Sequence, residues 1–160
     1  CLSKGITAGY LPLSVTLITD DIYHAFYCDY SEGKSFLDSH SYTGNALACA
    51  AANATMDFFE ENSVIEKNRV LIAAMQKHLQ AIEGFPYVKE IRQRGMIGAV
   101  ELHGFDASRR VNLEIYRFAL ENEVLIRPLG NVIYVMPPYT ITTEELDHIF
   151  DVIKRAIHLL

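Results

Sequence analysis

With 160 residues, half of them apolar, the chain can bury a core, either as one domain or as a piece of a larger one. Its net charge of −6 excludes a nucleic-acid backbone as the main partner, because no basic stripe is available to displace counterions. No stretch reaches the roughly 18 apolar residues that a membrane span needs, so no membrane partner is expected, and any anion must be held by a local device.

The chain opens on Cys1-Leu2-Ser3-Lys4, which reads like the end of a buried strand entered midway; residues ahead of Cys1 are therefore expected in the native protein. Leu11 to Ile18 is strand-like, with Pro12 restricting it to an edge or a strand start. Thr19 or Asp20 can cap a short helix from Asp21 to Tyr27, and Asp29 to His40 has loop composition. Ala46 to Glu61 is alanine-rich and predicts a helix by propensity. Ser63 and Glu66 form a capping-box pattern, followed at helical spacing by Val64, Leu71, Met75, His78, Leu79 and Ile82. That helix should stop near Gly84. Strands are predicted around Val88 to Ile91 and Met96 to Leu102, then a helix from Asp106 or Ser108 to about Glu121. Two further strands, Val124 to Arg127 and Asn131 to Val135, precede Pro137-Pro138, and Thr142 with Glu145 caps a closing helix. From Asn62 onward the order α-β-β-α-β-β-α predicts a small α+β domain with helices on one face of a mostly antiparallel sheet.

Four segments can carry chemistry. Lys4 lies between an apolar strand and a glycine-containing turn, where a ligand can approach the backbone. A desolvated lysine there is a nucleophile able to form a Schiff base, and a solvated one is an ordinary surface cation; spacing alone allows both. Ser39-His40-Ser41-Tyr42-Thr43-Gly44-Asn45 leads into the alanine-rich helix, so its hydroxyls and free N–H groups make either an anion site or a plain helix cap. Arg127, between a strand and Pro128-Leu129-Gly130, can grip a carboxylate bidentately or sit free on the surface. Tyr134, with Met136-Pro137-Pro138-Tyr139, can wall an apolar channel or belong to the core. Cys1, Cys28 and Cys49 lack metal-ligand spacing, so no metal is expected and they read as reduced thiols of a cytoplasmic protein. Cys49 has no triad for nucleophilic hydrolysis, and His24, His78, His103, His148 and His158 occur singly and receive no role.

Taken in order, Leu2-Ser3-Lys4-Gly5 with Gly9-Tyr10-Leu11-Pro12, His40 to Asn45, Arg94-Gly95-Met96-Ile97-Gly98, Ile126 to Gly130 and Tyr134 to Tyr139 resemble the class III, fold-type I, pyridoxal-phosphate-dependent aminotransferases. The resemblance runs the length of the chain, and the Arg127 to Gly130 and Met136 to Ile141 blocks are similar to the biotin-pathway branch of that class. It implies an α/β and α+β architecture: residues 1–61 as the end of the large PLP-binding domain, residues 62–160 as the small C-terminal α+β domain. It implies pyridoxal 5′-phosphate as cofactor, Lys4 as its covalent carrier and catalytic proton shuttle, and His40 and Ser41 as cofactor contacts reaching the neighbouring subunit of a homodimer with shared active sites. Ser39 would contact substrate through its backbone, Arg127 would bind the carboxylate of a keto acid, and Tyr134 would line the substrate. Ala8 stands where many relatives have a second glycine. The reaction implied is transamination of 8-amino-7-oxononanoate to 7,8-diaminononanoate with S-adenosylmethionine as amino donor. Ornithine, γ-aminobutyrate or β-alanine type ω-aminotransferases, and a non-enzymatic α+β binding module, are the competing readings. The acidic partner of the pyridine nitrogen and the aromatic stacking residue would lie ahead of Cys1, so this polypeptide by itself is expected neither to transaminate nor to hold the cofactor firmly.

Overall fold

The computed structural model describes residues 1–106 and 108–160. The chain divides into two compact units, Cys1–Ser63 and Val64–Leu160.

In the first unit, strands β1 (Leu2–Ser3) and β2 (Ser14–Val15) pair antiparallel, Leu2 opposite Val15. The strand expected from Leu11 to Ile18 thus shortens to two residues. A 3-10 turn, Lys4–Thr7, follows β1 and closes on Ala8 in the left-handed conformation at φ 50°. Thr7 is buried and donates its hydroxyl proton to the Leu11 carbonyl at 2.6 Å, so it ties the turn to the returning chain. Helix α1 is Asp20–Phe26 and helix α2 is Ala46–Glu61. Alanine makes α2 strongly helical, and the small buried Ala48 and Ala52 let the Lys4–Thr7 turn pack closely on it. Asn45 caps α2, its side chain accepting from the Ala48 N–H at 3.0 Å.

The second unit contains α3 (Val64–Gln80), β3 (Val88–Arg94), β4 (Ile97–Leu102), α4 (Val111–Glu121), β5 (Val132–Val135) and α5 (Thr143–His158). The Ser63–Glu66 capping box does not form. Ser63 sits at φ 48°, its N–H closes the end of α2 on the Glu60 carbonyl, and Glu66 pairs with Arg69 instead. The box at the start of α5 does form: Thr142 Oγ1 accepts from the Glu145 N–H and Glu145 accepts from the Thr142 N–H. Helix α4 begins at Val111, later than expected; Asp106 spends its carboxylate on the Ser108 N–H and hydroxyl, and Ala107 lies outside the described residues.

The sheet of this unit is antiparallel, in the order β3-β4-β5. Val124 to Arg127 is not a strand, so the order is α-β-β-α-β-α. That run alternates, with Val124 and Ile126 buried and Leu125 and Arg127 exposed, yet it joins no ladder. One face of the sheet supplies Val100, Leu102, Ile133 and Val135 to a core completed by Met75, Leu79 and Ile82, by Ile115 and Ala119 from α4, and by Phe150, Ile153 and Ile157 from α5. A glycine on β4 permits the close approach of α3: a Cβ at Gly98 would lie 3.1 Å from Leu79 Cδ1 and 3.2 Å from Met75 Sδ. His78 joins α3 to α5, with Nε2 2.6 Å from Asp147 Oδ1 and its ring stacked on Phe150.

Thr142→Ala removes the cap of α5 and should cost about 1 kcal/mol. Chemical denaturation of the full-length protein checks this, and an unchanged midpoint would show the box to be decorative.

Candidate functional site

In the first unit Lys4 is the first residue of the 3-10 turn, at φ 54°. A left-handed lysine carries strain on the order of 1–3 kcal/mol, which persists only where the surroundings over-determine the backbone. Here the constraints are the β1–β2 pairing before the turn and the buried Thr7 anchor after it. The side chain of Lys4 is exposed, and its amine has no ion pair or hydrogen bond among the described residues.

Ser39, His40 and Ser41 are exposed and precede α2 in a tight turn. His40 organises it. Its N–H donates to Thr43 Oγ1 at 3.2 Å, its carbonyl accepts from the Thr43 N–H at 2.9 Å, and its Nδ1 accepts from the Tyr42 N–H at 3.1 Å. With Nδ1 an acceptor, Nε2 carries the proton of the neutral ring and points a donor elsewhere. The Asn45 N–H bonds to the Tyr42 carbonyl, and the Asn45 side chain takes the Ala48 N–H. Among the described residues the Ala46 and Leu47 N–H groups and the Ser41 hydroxyl have no partner. The positive end of a 16-residue helix therefore keeps unclaimed donors beside a free hydroxyl. Sequence reasoning left open whether this segment merely caps a helix. The cap is Asn45 alone, and the serines are spare.

In the second unit, Arg127 and Tyr134 flank a two-residue turn. Leu129 and Val132 bond to each other in both directions, at 2.8 and 2.9 Å, with Gly130 at φ 59° where an L-residue would be strained. Tyr134 alternates with the buried Ile133 and Val135, so it stands on the face of the sheet away from the core and is half-buried. The sequence allowed Tyr134 to be core, and the alternation removes that reading. Arg127 is exposed and has no pair among the described residues.

The same face carries a cluster that sequence reasoning missed. Glu101 accepts from Lys89 Nζ at 2.6 Å and from Arg92 at 2.9 Å, and Arg92 also donates to Glu90 at 2.6 Å. Cross-strand register is the only signal that reveals it, since Arg92 and Glu101 lie nine residues apart. The hydrogen bond from Lys89, then that from Arg92, holds the Glu101 carboxyl below the usual carboxylate range, and the same bonds raise both cations. No group of His, Cys, Asp or Glu among the described residues can hold a metal, and no helix among them is long and apolar enough to cross a membrane.

The aminotransferase class-III family model matches residues 1–157. The chain is similar to the adenosylmethionine-8-amino-7-oxononanoate aminotransferase of Helicobacter pylori, at 49% identity over 150 residues that cover 91% of this chain and 34% of that protein. It is similar to the Methanocaldococcus jannaschii protein of the same name at 38% identity, covering 98% of this chain and 36% of that protein. The crystal structure of the latter superposes with a TM-score of 0.88 at 35% identity, over 98% of this chain and 37% of that one. The chain thus spans about a third of the length of the curated relatives it matches.

Because its folded-state carboxyl is depressed, Glu101 contributes stability that is fully present above the ordinary glutamate value and lost as pH falls through the depressed one. Wild-type protein should therefore lose stability more steeply than Glu101→Gln below about pH 4. Denaturation midpoints against pH decide this, and parallel curves would remove the cluster from the account.

Proposed function

The chain belongs to the class III aminotransferases and has the mixed helix-and-sheet fold of the fold-type I members, and from that premise we propose that the full-length protein transfers an amino group from S-adenosylmethionine to 8-amino-7-oxononanoate. The product would be 7,8-diaminononanoate, a step of biotin biosynthesis, made in the cytoplasm. What carries this reading is the 49% identity to a relative bearing the corresponding name, over nine-tenths of the chain. On this reading residues 1–61 close the large PLP-binding domain and residues 62–160 form the small C-terminal domain.

Pyridoxal 5′-phosphate, when bound, supplies an electron sink for the charge that develops at the reacting carbon. Lys4 would be its covalent attachment point, and the Lys4 ε-amine would move the proton at the substrate Cα. A left-handed turn anchored by Thr7 holds the Lys4 backbone in place. Ser41, the Nε2 proton of His40 and the free N–H groups of Ala46 and Leu47 are the donors we assign to the phosphate. They offer hydrogen bonds and a dipole in a protein with no surplus of positive charge. We assign them to the cofactor of the neighbouring subunit in a homodimer, and the Ser39 backbone to substrate. Arg127 takes the substrate carboxylate, and Tyr134 takes the apolar chain that leads to it.

Two substitutions in the full-length enzyme test these roles. Lys4→Ala should lower turnover on the order of 10³-fold or more, about 4 kcal/mol of transition-state stabilisation, and abolish borohydride trapping of the cofactor. Retained trapping would move the attachment to another lysine. Arg127→Ala gives up a charge-assisted contact of about 1.5–3 kcal/mol, which raises KM for the keto acid roughly ten- to hundredfold. If instead KM stays put, the carboxylate is held elsewhere.

A further inference from the structure

The histidine that joins α3 to α5 stands in the middle of a chain of three groups. Asp147 Oδ1 lies 2.6 Å from His78 Nε2, and Lys154 Nζ lies 3.4 Å from His78 Nδ1. A lysine ammonium can only donate, so Nδ1 accepts from it, and the neutral ring carries its proton on Nε2 and gives it to Asp147. That fixes the tautomer. The ring lies parallel to Phe150 at 4.9 Å, which holds its plane. Amine, base and orienting carboxylate thus follow one another in the order that activates a nucleophile.

Lys154 is half-buried and also lines a cavity of about 580 Å³, together with Phe85, Phe118, Arg155, His158 and Leu159. The walls are aromatic and aliphatic, and no carboxylate is among these lining residues. Arg155 stacks over Phe118 at 5.3 Å, with Asn122 and Asp151 accepting from its guanidinium, and His158 sets Nδ1 against the Lys154 carbonyl. Lys154 pairs with no carboxylate among the described residues. An amine beside a base therefore meets a cavity whose lining charges are cationic, and the reagent that suits both is a small anion with an electrophilic carbon.

We propose that Lys154 is a covalent modification site, acylated by small acyl phosphates with His78 as the base. The ammonium gives one proton to Nδ1, and Asp147 stabilises the imidazolium that results. The Nζ lone pair attacks the acyl carbon, the N–C bond forms, and the C–O bond to phosphate breaks with its electron pair on the leaving oxygen. The second proton of the nitrogen departs with the phosphate, and the ring returns its own to water. A neutral amide then replaces the cation on α5. The inference is independent of the aminotransferase reading, since it uses none of Lys4, Ser41, Arg127 or Tyr134.

The test treats the full-length holoenzyme with acetyl phosphate and follows each lysine by peptide mass spectrometry. Lys67 and Lys77, exposed on α3 without a partner among the described residues, are references within the same digest. Lys154 should acetylate about tenfold or more faster than either reference. His78→Gln and Asp147→Asn should each lower the Lys154 rate by about tenfold and leave both references unchanged. Asp147 is exposed, so Asp147→Asn decides the matter if His78→Gln lowers the melting temperature. Excess inorganic phosphate should slow Lys154 alone. Acetylation of Lys154 at the reference rate, a wild-type rate in Asp147→Asn, or no protection by phosphate would each overturn the proposal.

Discussion

Side chains on a β-strand point alternately to opposite faces, and in the second unit that rule decides which residues build the protein and which are free to meet a ligand. Val100, Leu102, Ile133 and Val135 turn inward against α3, α4 and α5. Ala99, Glu101, Val132 and Tyr134 are left on the other face by the same geometry. Antiparallel pairing then converts sequence positions on three strands into rows, and the row through Tyr134 gathers residues separated by up to 42 positions. Burial of the inner face drives the arrangement, and the outer face inherits its order at no further cost.

The first unit is organised differently. Few of its side chains are buried, and its geometry comes from hydrogen bonds at turns: the Thr7 hydroxyl on the Leu11 carbonyl, the Thr43 and Tyr42 N–H groups on the His40 carbonyl and ring, and Asn45 over the first turn of α2. Each bond fixes one local backbone path. Lys4 and Ala8 both adopt left-handed φ values within the same turn, a combination that a chain free to relax would abandon. The turn therefore holds its shape against an intrinsic preference.

Where local rules are strong, the sequence predicts well. Alanine propensity delimits α2, and reciprocal capping by Thr142 and Glu145 starts α5. It misleads where a local pattern needs a partner it does not have. Val124 to Arg127 alternates like a strand, but Pro128 has no N–H to give and the ladder beside β5 ends at Leu129. Ser63 and Glu66 have the spacing of a box, yet Ser63 is taken by the left-handed exit from α2. For the candidate site, Lys4, Ser41 and Arg127 are legible as residue types able to act, because amines, hydroxyls and guanidinium groups announce their chemistry.

The turn at Gly130 and Asn131 imposes a parity on the chain. One extra residue between Val132 and Ile133 would roll the rest of β5 over, sending the tyrosine into the hydrocarbon interior and Ile133 into solvent. Length changes within this strand can therefore be absorbed only in pairs, or by a bulge that swallows the odd residue. Chain-length variation, which surface loops elsewhere accept freely, is here a binary variable.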